Sequence, residues 1–394
     1  MSRMIKEIGL SGYRTIKTKD RPEVSVTLEP RQRRLQSCPC CGGVRGLRSK
    51  GRYERRVRHL DCFGRRTSLR ILCRRFSCLD CARSFVQRLP GIVPGRRTSE
   101  PLRVLLYRHQ HDGMSAAALA RRERLGAATL ARIYNQQTER CARERQQQEC
   151  PMVLGIDEHS LHRRERFATT FCDLKNHRIF EVAPGRSEAQ LRPFLRSLRG
   201  RDKVRVVCID LSSPYRAIVR RWFPNAKIVA DRFHVVRLVL LHLFHLARER
   251  CPDLNWNRPW LKLLRTRADR LEPCQRERLE ALFVRSPFLA HVHTLKEELC
   301  SLLTRRAQTK RQCRALIPQL LSLIHRRKTS GLDQAATLGR SLHQWREEIV
   351  RMWRFSRNNG ITEGFHRKMK LIQRKAYGFR SFLNYRLRVL AQCS

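Results

Sequence analysis

Long uninterrupted apolar runs are missing from this chain of 394 residues. A membrane-crossing helix needs about 18 such residues in a row. The best stretch, Val235–Leu246, is broken by Arg237, His242 and His245. The start, Met1–Leu10, lacks the apolar core of a secretory leader. No membrane partner is expected, and the cysteines are expected in a reducing, cytoplasmic setting. There, sixteen of them read as metal-bound or free thiols, not as a disulfide framework.

Aromatic residues are also scarce, at 7%, against an apolar share of 41%, which predicts a sizeable and mainly aliphatic core. Acidic residues are few. There are 34 Asp and Glu against 84 Lys and Arg, a net charge of +50. The basic residues run from Arg3 to Arg388, so folded domains carry the field rather than a tail. Such a surface attracts polyanions through counterion release and long-range steering, and nucleic acid is the expected partner.

The length predicts two or three folded units. Up to about Val93 the chain holds paired cysteines and alternating stretches. Val24–Leu28 alternates, and Thr67–Phe76 places Leu69, Ile71 and Cys73 on one face, as a half-buried strand would. Pro90, Gly91, Pro94, Gly95 and Pro101 punctuate a boundary. A helical segment follows, roughly Glu100–Arg140, and then a polar run, Ala142–Glu149. From Met152 short β-branched runs appear at Val153–Ile156, Phe167–Phe171, Ile179–Val182, Val204–Ile209 and Lys227–Val229. Helical stretches Glu188–Leu198 and Tyr215–Trp222 separate the later ones, the order a ribonuclease-H-like sheet requires. Phe233–Phe355 reads as almost entirely helical. The expected fold is multidomain α+β: a zinc-binding β-hairpin domain (1–93), a helix-turn-helix (99–140) and an RNase H-like α/β core (151–394).

Cys38-Pro39-Cys40-Cys41 and Cys78-Leu79-Asp80-Cys81 supply two CxxC pairs. Two intervening residues let a tight turn present both thiolates to one tetrahedral zinc at about 2.3 Å, and two such knuckles close a structural site. Cys38, Cys41, Cys78 and Cys81 are the expected ligands, with Cys40, Cys62 and Cys73 open as substitutes on spacing alone. A redox CxxC would need a thioredoxin-like strand–helix setting, which is not visible here.

Ser115 offers an N-cap to the small-residue run Ala116–Ala120, and Gly126 marks a turn before a short helix at Ala127–Tyr134. Leu130 and Ile133 face inward in that reading, leaving Arg132 for DNA. Helix, turn, helix is an arrangement that lays a second helix in the major groove, although helical bundles use the same residues.

Carboxylates stand out in so basic a chain. Asp157 follows Val153–Ile156, Asp210 follows Val206–Ile209, and Asp231 follows Ile228–Ala230. An Asp after a strand often only starts a turn. Three in succession at the edge of one sheet can converge on hard cations.

With these residues in view the chain resembles the ISL-three family of bacterial insertion-sequence transposases, part of the wider DDE group. The resemblance rests on Arg74-Arg75-Phe76-Ser77-Cys78, on Gly155-Ile156-Asp157-Glu158 and on Ala230-Asp231-Arg232-Phe233-His234. It also rests on Thr362-Glu363-Gly364-Phe365-His366-Arg367-Lys368-Met369-Lys370 and on Arg374-Lys375-Ala376-Tyr377-Gly378-Phe379-Arg380. It implies a metal-binding triad of Asp157, Asp210 and Glu363 that takes magnesium or manganese, with Asp231 and His234 as an Asp-x-x-His signature in support. It also implies that the helical stretch, about 235–355, is an insertion that interrupts the RNase H-like core before the helix bearing Glu363. Asp231 stays open as the second carboxylate in place of Asp210.

The resemblance further implies binding to the inverted repeats of double-stranded DNA, strand cleavage and transfer, a homo-oligomer on DNA and a place at the bacterial nucleoid. Lys370, Arg374, Lys375 and Arg380 are further expected DNA contacts. Tyr377, Phe379, Phe382 and Tyr385, interleaved with arginines, read either as base-stacking groups or as core aromatics. Two rival readings are a catalytically inactive DNA-binding regulator descended from a transposase and a zinc-bearing RNA-binding protein. The second leaves the three carboxylates without a purpose.

Overall fold

Alternate residues from Thr67 to Cys73 are buried, because the strand that carries them lies with one face on a small core. The computed structural model describes residues 10–20, 22–31, 37–62, 64–146, 149–162, 166–255, 257–355, 360–376, 378–379 and 381–393. They form two units, Met1–Cys141 and Ala142–Ser394.

The first unit opens with strands β1 (Tyr13–Lys19), β2 (Val24–Pro30), β3 (Leu47–Arg58), β4 (Thr67–Cys78) and β5 (Ser84–Val86). They pair in the order β1-β2-β4-β3, with β5 on the other part of β4. Leu69, Ile71 and Cys73 are fully buried and pack with Val24, Val26, Leu28 and Val57. The β3–β4 hairpin occupies the long gap between the two cysteine pairs, with Leu47 opposite Cys78.

Helices α1 (Glu100–His111), α2 (Ala116–Glu123) and α3 (Ala127–Gln146) complete this unit around Leu102, Leu106, Leu119, Leu130 and Ile133. Ser115 caps α2 by accepting from the Ala118 amide at 3.1 Å. Gly126 lies in the turn between α2 and α3, and the left-handed residue of that turn is Arg124, at φ 50°. The second helix runs well past Tyr134, to Gln146.

In the second unit, β6 (Val153–His162), β7 (Arg166–Asp173) and β8 (Arg178–Pro184) form an antiparallel meander. Helix α4 (Glu188–Ser197), β9 (Val206–Ile209), α5 (Ser213–Trp222) and β10 (Lys227–Ala230) follow. The sheet order is β10-β9-β6-β7-β8, with β6, β9 and β10 parallel. One correction bears on the site: Asp157 does not end its strand. Parallel pairing to β9 stops at Ile156–Ile209, but antiparallel pairing to β7 carries β6 on through Asp157–Thr170.

Phe233–Phe355 is helical, as its Leu- and Arg-rich pattern predicts. It forms α6 (Arg232–Arg250), α7 (Arg258–Arg265), α8 (Pro273–Arg285), α9 (Pro287–Leu303), α10 (Lys310–Lys328), α11 (Asp333–Gln344) and α12 (Arg346–Arg354). These helices share one continuous core with Leu154, Ile156 and Ile209 of the sheet. Buried Arg232 ties the start of α6 to α9 and α12, donating to the carbonyls of Leu303 (3.3 Å) and Met352 (2.6 Å). Helices α13 (Gly360–Lys375) and α14 (Phe382–Gln392) cover the opposite face, where Met369, Ile372, Tyr385 and Val389 meet Ala168, Cys172 and Val182.

Candidate active site and metal centre

The four cysteines of the two pairs converge. The Cys38 and Cys81 sulfurs are 3.7 Å apart, those of Cys41 and Cys78 are 3.6 Å apart, and all four lie within 4.8 Å of one another. Sulfurs at this separation surround a point that can accept a tetrahedral zinc. Each knuckle is closed by its own backbone. The Cys38 amide donates to Gly43 O at 2.8 Å and the Cys78 amide to Arg83 O at 2.9 Å. The backbone amide of Cys41 brings the Cys38 thiol down to about 7, toward the thiolate that metal requires. Cys41, Cys78 and Cys81 are raised, burial and the neighbouring thiols opposing their ionisation until a cation offsets it. Asp80 folds its carboxylate over Gly43 and Gly46, where a Cβ would stand 2.3 or 2.7 Å from it and would turn that side chain outward. Cys73 is in the strand core and Cys40 is exposed, and neither belongs to the group.

The carboxylates occupy one edge of the second sheet. Asp157 and Asp210 each stand one residue beyond the Ile156–Ile209 pair of neighbouring strands, and strands in a sheet lie about 4.8 Å apart. Asp231 follows Ala230, the partner of Ile209 on the next strand. Burial, helped by the negative charges of Asp210 and Asp231, raises Asp157 to about 7; burial, helped by Glu158 and Asp231, raises Asp210 to about 6, while nearby His234 opposes both shifts. Asp210 Oδ1 is buried with no hydrogen-bond partner. An orphaned carboxylate oxygen beside a second buried carboxylate fits a divalent cation.

Asp231 is differently engaged. It caps α6 by accepting from the Phe233 amide at 3.2 Å, and its Oδ2 is 2.8 Å from His234 Nδ1. That contact raises His234 and orients its ring.

Glu363 lies in the first turn of α13, where Ile361, Phe365 and Met369 pack inward against the sheet. Its carboxylate is half exposed and accepts from Arg367 at 2.9 Å. Asp157, Asp210 and Glu363 do not close to the spacing of the cysteine group; among the described residues only the cysteines do so. The link from α13 to Asp157 runs through His366, whose Nδ1 is 3.7 Å from Asp157 Oδ2.

A transposase family model for the DDE enzymes of ISL3 elements matches residues 154–389. The chain belongs to the ISL3 family of DDE transposases. A second model, a zinc finger of the transposases of IS204, IS1001, IS1096 and IS1165, matches residues 34–81 and so spans all four cysteines. The chain is 27% identical over 382 residues to the transposase for insertion sequence element IS1001 of Bordetella parapertussis, covering 93% of this chain and 91% of that one. Membership makes this a DNA-cleaving and DNA-transferring type of enzyme, and the zinc-finger match supports a structural zinc on the four thiols. No helix among the described residues is long and apolar enough to cross a membrane.

The transposase also holds a buried polar chain that sequence reasoning missed. His366 Nε2 is 3.2 Å from Thr170 Oγ1, which is 3.1 Å from His159 Nδ1, and His159 Nε2 is 2.7 Å from the Tyr385 hydroxyl. Burial holds His366 down to about 4 and His159 to about 3, so both rings are neutral. Two signals pointed there: His159 shares the strand face of Asp157, and His366 is one helical turn from Glu363.

Arg132, Lys370, Arg374 and Lys375 are all exposed, whereas Arg380 and Tyr377 lie outside the described residues. Phe379, Phe382 and Tyr385 pack on the α13–α14 core, with Tyr385 fully buried, which favours their reading as core aromatics.

Proposed function

We propose that this transposase binds the terminal inverted repeats of its own insertion sequence, cuts a strand there and joins the new 3′-hydroxyl to target DNA. The observation that carries the reading is the orphaned Asp210 Oδ1, one strand from Asp157 in matching register, in a chain of the DDE family. Asp157, Asp210 and Glu363 would hold magnesium or manganese, with Glu363 turning from Arg367. Bound metal would supply charge stabilisation for an in-line displacement at phosphorus. Asp231 supports the site instead of binding metal, because its two oxygens already serve the α6 cap and His234. His234, oriented by Asp231, contacts or positions the scissile phosphate.

In the same reading the five-stranded sheet with helices on both faces is an RNase H-like core. Helices α2 and α3 act as a helix-turn-helix with Arg132 of α3 toward DNA, and Lys370, Arg374 and Lys375 add phosphate contacts. Two or more copies act together on the paired ends. The test is a supercoiled plasmid carrying the element ends. Purified protein with magnesium or manganese should nick it at the ends, and Asp157→Ala, Asp210→Ala and Glu363→Ala should each bind but not cut. Binding without cutting by the parent under every metal condition would favour the inactive regulator.

A further inference from the structure

Helix α6 leads away from the carboxylates, and the side chains on one of its faces form a stripe. His234, Arg237, Leu241, His245 and Arg248 follow one another at steps of three or four residues, the spacing of a single helical face. Beside the stripe lie two adjoining cavities of about 660 and 510 Å³ that share Arg248 and Arg265. Arg237 lines the first, and Arg258 and Lys262 of α7 line the second. No carboxylate lines either cavity.

Elsewhere in this unit arginines withdrawn from solvent have partners: Arg216 with Glu348, Arg327 with Glu298, Arg386 with Glu181, and Arg232 with backbone carbonyls. Among the described residues, none of the five cations of this groove has an acidic partner. Arg248 Nε is buried without a hydrogen-bond partner among the described residues; Arg327 Nε is too, but Arg327 has Glu298 beside it and Arg248 has no carboxylate. The Arg265 guanidinium lies 5.3 Å from the centroid of the Phe244 ring, a cation–π contact at the junction of the two cavities. Leu241, 58% exposed, gives the groove an apolar strip suited to deoxyribose.

We infer that this groove on the helical segment seats the phosphodiester backbone of DNA next to the cut. From His234 to Arg248 is 14 residues, about 21 Å of helix, which matches about six nucleotides at 3.4 Å each. The groove holds these nucleotides in place while the scissile phosphate stays at the carboxylates. This rests on the triad reading, because it places the scissile phosphate at Asp157 and Asp210.

The test is hydroxyl-radical footprinting of the full chain on its end DNA, without added magnesium or manganese so that no strand is cut. The parent should protect about six nucleotides flanking the cleavage site. The triple change Arg237→Gln, Arg248→Gln and Arg265→Gln should lose that protection, keep the protection made by the first unit, and lower the salt slope of binding by roughly 2 to 3. The triple change to Lys should retain protection. If the Gln triple unfolds, exposed Arg237→Gln carries the test alone, with a slope lower by about one. An unchanged footprint and slope overturns the inference, as does loss of protection in the Lys triple. Cleavage is read separately, so failure of the triad and failure of the groove are distinguishable.

Discussion

Asp231 Oδ2 lies 2.8 Å from His234 Nδ1, one turn into the helix whose N-terminus the same aspartate caps. One carboxylate thus fixes a backbone amide and an imidazole together. Asp231→Asn keeps a capping oxygen but loses the charge that raises His234. It should melt close to the parent, while Asp231→Ala loses about 1 kcal/mol or more with the cap. Both should cleave about 10- to 100-fold more slowly, the usual cost of losing a supporting contact at a metal site. Thermal melting and plasmid nicking on the same preparations measure the two effects. A dead Asp231→Asn with an active Asp210→Ala would make Asp231 the second ligand.

How far the sequence discloses this architecture depends on the range over which a residue finds its partners. Leu69, Ile71 and Cys73 declare a one-faced strand because burial repeats every second residue. Cys38, Cys41, Cys78 and Cys81 declare a metal group because each knuckle is closed locally. The five strand positions of the second sheet were legible from short β-branched runs. The continuation of β6 beyond Asp157 was not, since only pairing to β7 extends it. The spacing of His159 from Asp157 and of His366 from Glu363 hinted at the His366–Thr170–His159–Tyr385 chain, but its links join residues far apart: His366 and Thr170 by 196 positions, His159 and Tyr385 by 226. Gly126 marked the turn; the left-handed residue within it is Arg124, because capping of α2 decides where the chain reverses.

Zinc should be part of the folded finger. Metal analysis of the full chain is expected to find about one zinc, lost on Cys78→Ser together with cooperative melting of the first unit. Gly43→Ala should keep its zinc, because the Asp80 carboxylate that its Cβ would meet at 2.3 Å is exposed and free to turn away. Full zinc content in Cys78→Ser would show that this thiol is not a ligand.

The pH dependence of stability has a definite sign at the carboxylates. Asp157 and Asp210 are raised to about 7 and about 6 from an ordinary 3.8. The folded chain therefore binds more protons at these two positions than the unfolded chain between about pH 4 and pH 7. Their contribution to stability falls as pH rises through that window. Asp157→Asn removes the buried charge without changing shape, so at pH 8 and without divalent metal it should melt higher than the parent. The expected scale is roughly 5 °C, since a unit of this size shifts by about 2–4 °C per kcal/mol. The advantage should shrink toward pH 4. A lower melting point for Asp157→Asn at pH 8 would mean that the carboxylate is stabilised rather than strained where it stands.

Metal should reverse that strain, and the reversal separates ligands from supports. A cation binds the deprotonated carboxylates, so manganese should raise the parent's melting point more at pH 8 than at pH 6, where protons compete at Asp157 and Asp210. Asp157→Asn and Asp210→Asn should each lose most of the manganese-induced rise, and Glu363→Gln should lose part of it, because its side chain is half exposed and reaches the site from a separate helix. Asp231→Asn should retain the rise, since its oxygens are engaged with Phe233 and His234. Titration calorimetry with manganese on the same four variants gives the independent measure. A rise that survives Asp210→Asn but disappears in Asp231→Asn would move the second ligand one strand over, to the end of β10, and leave Asp210 Oδ1 to be explained by a bound water.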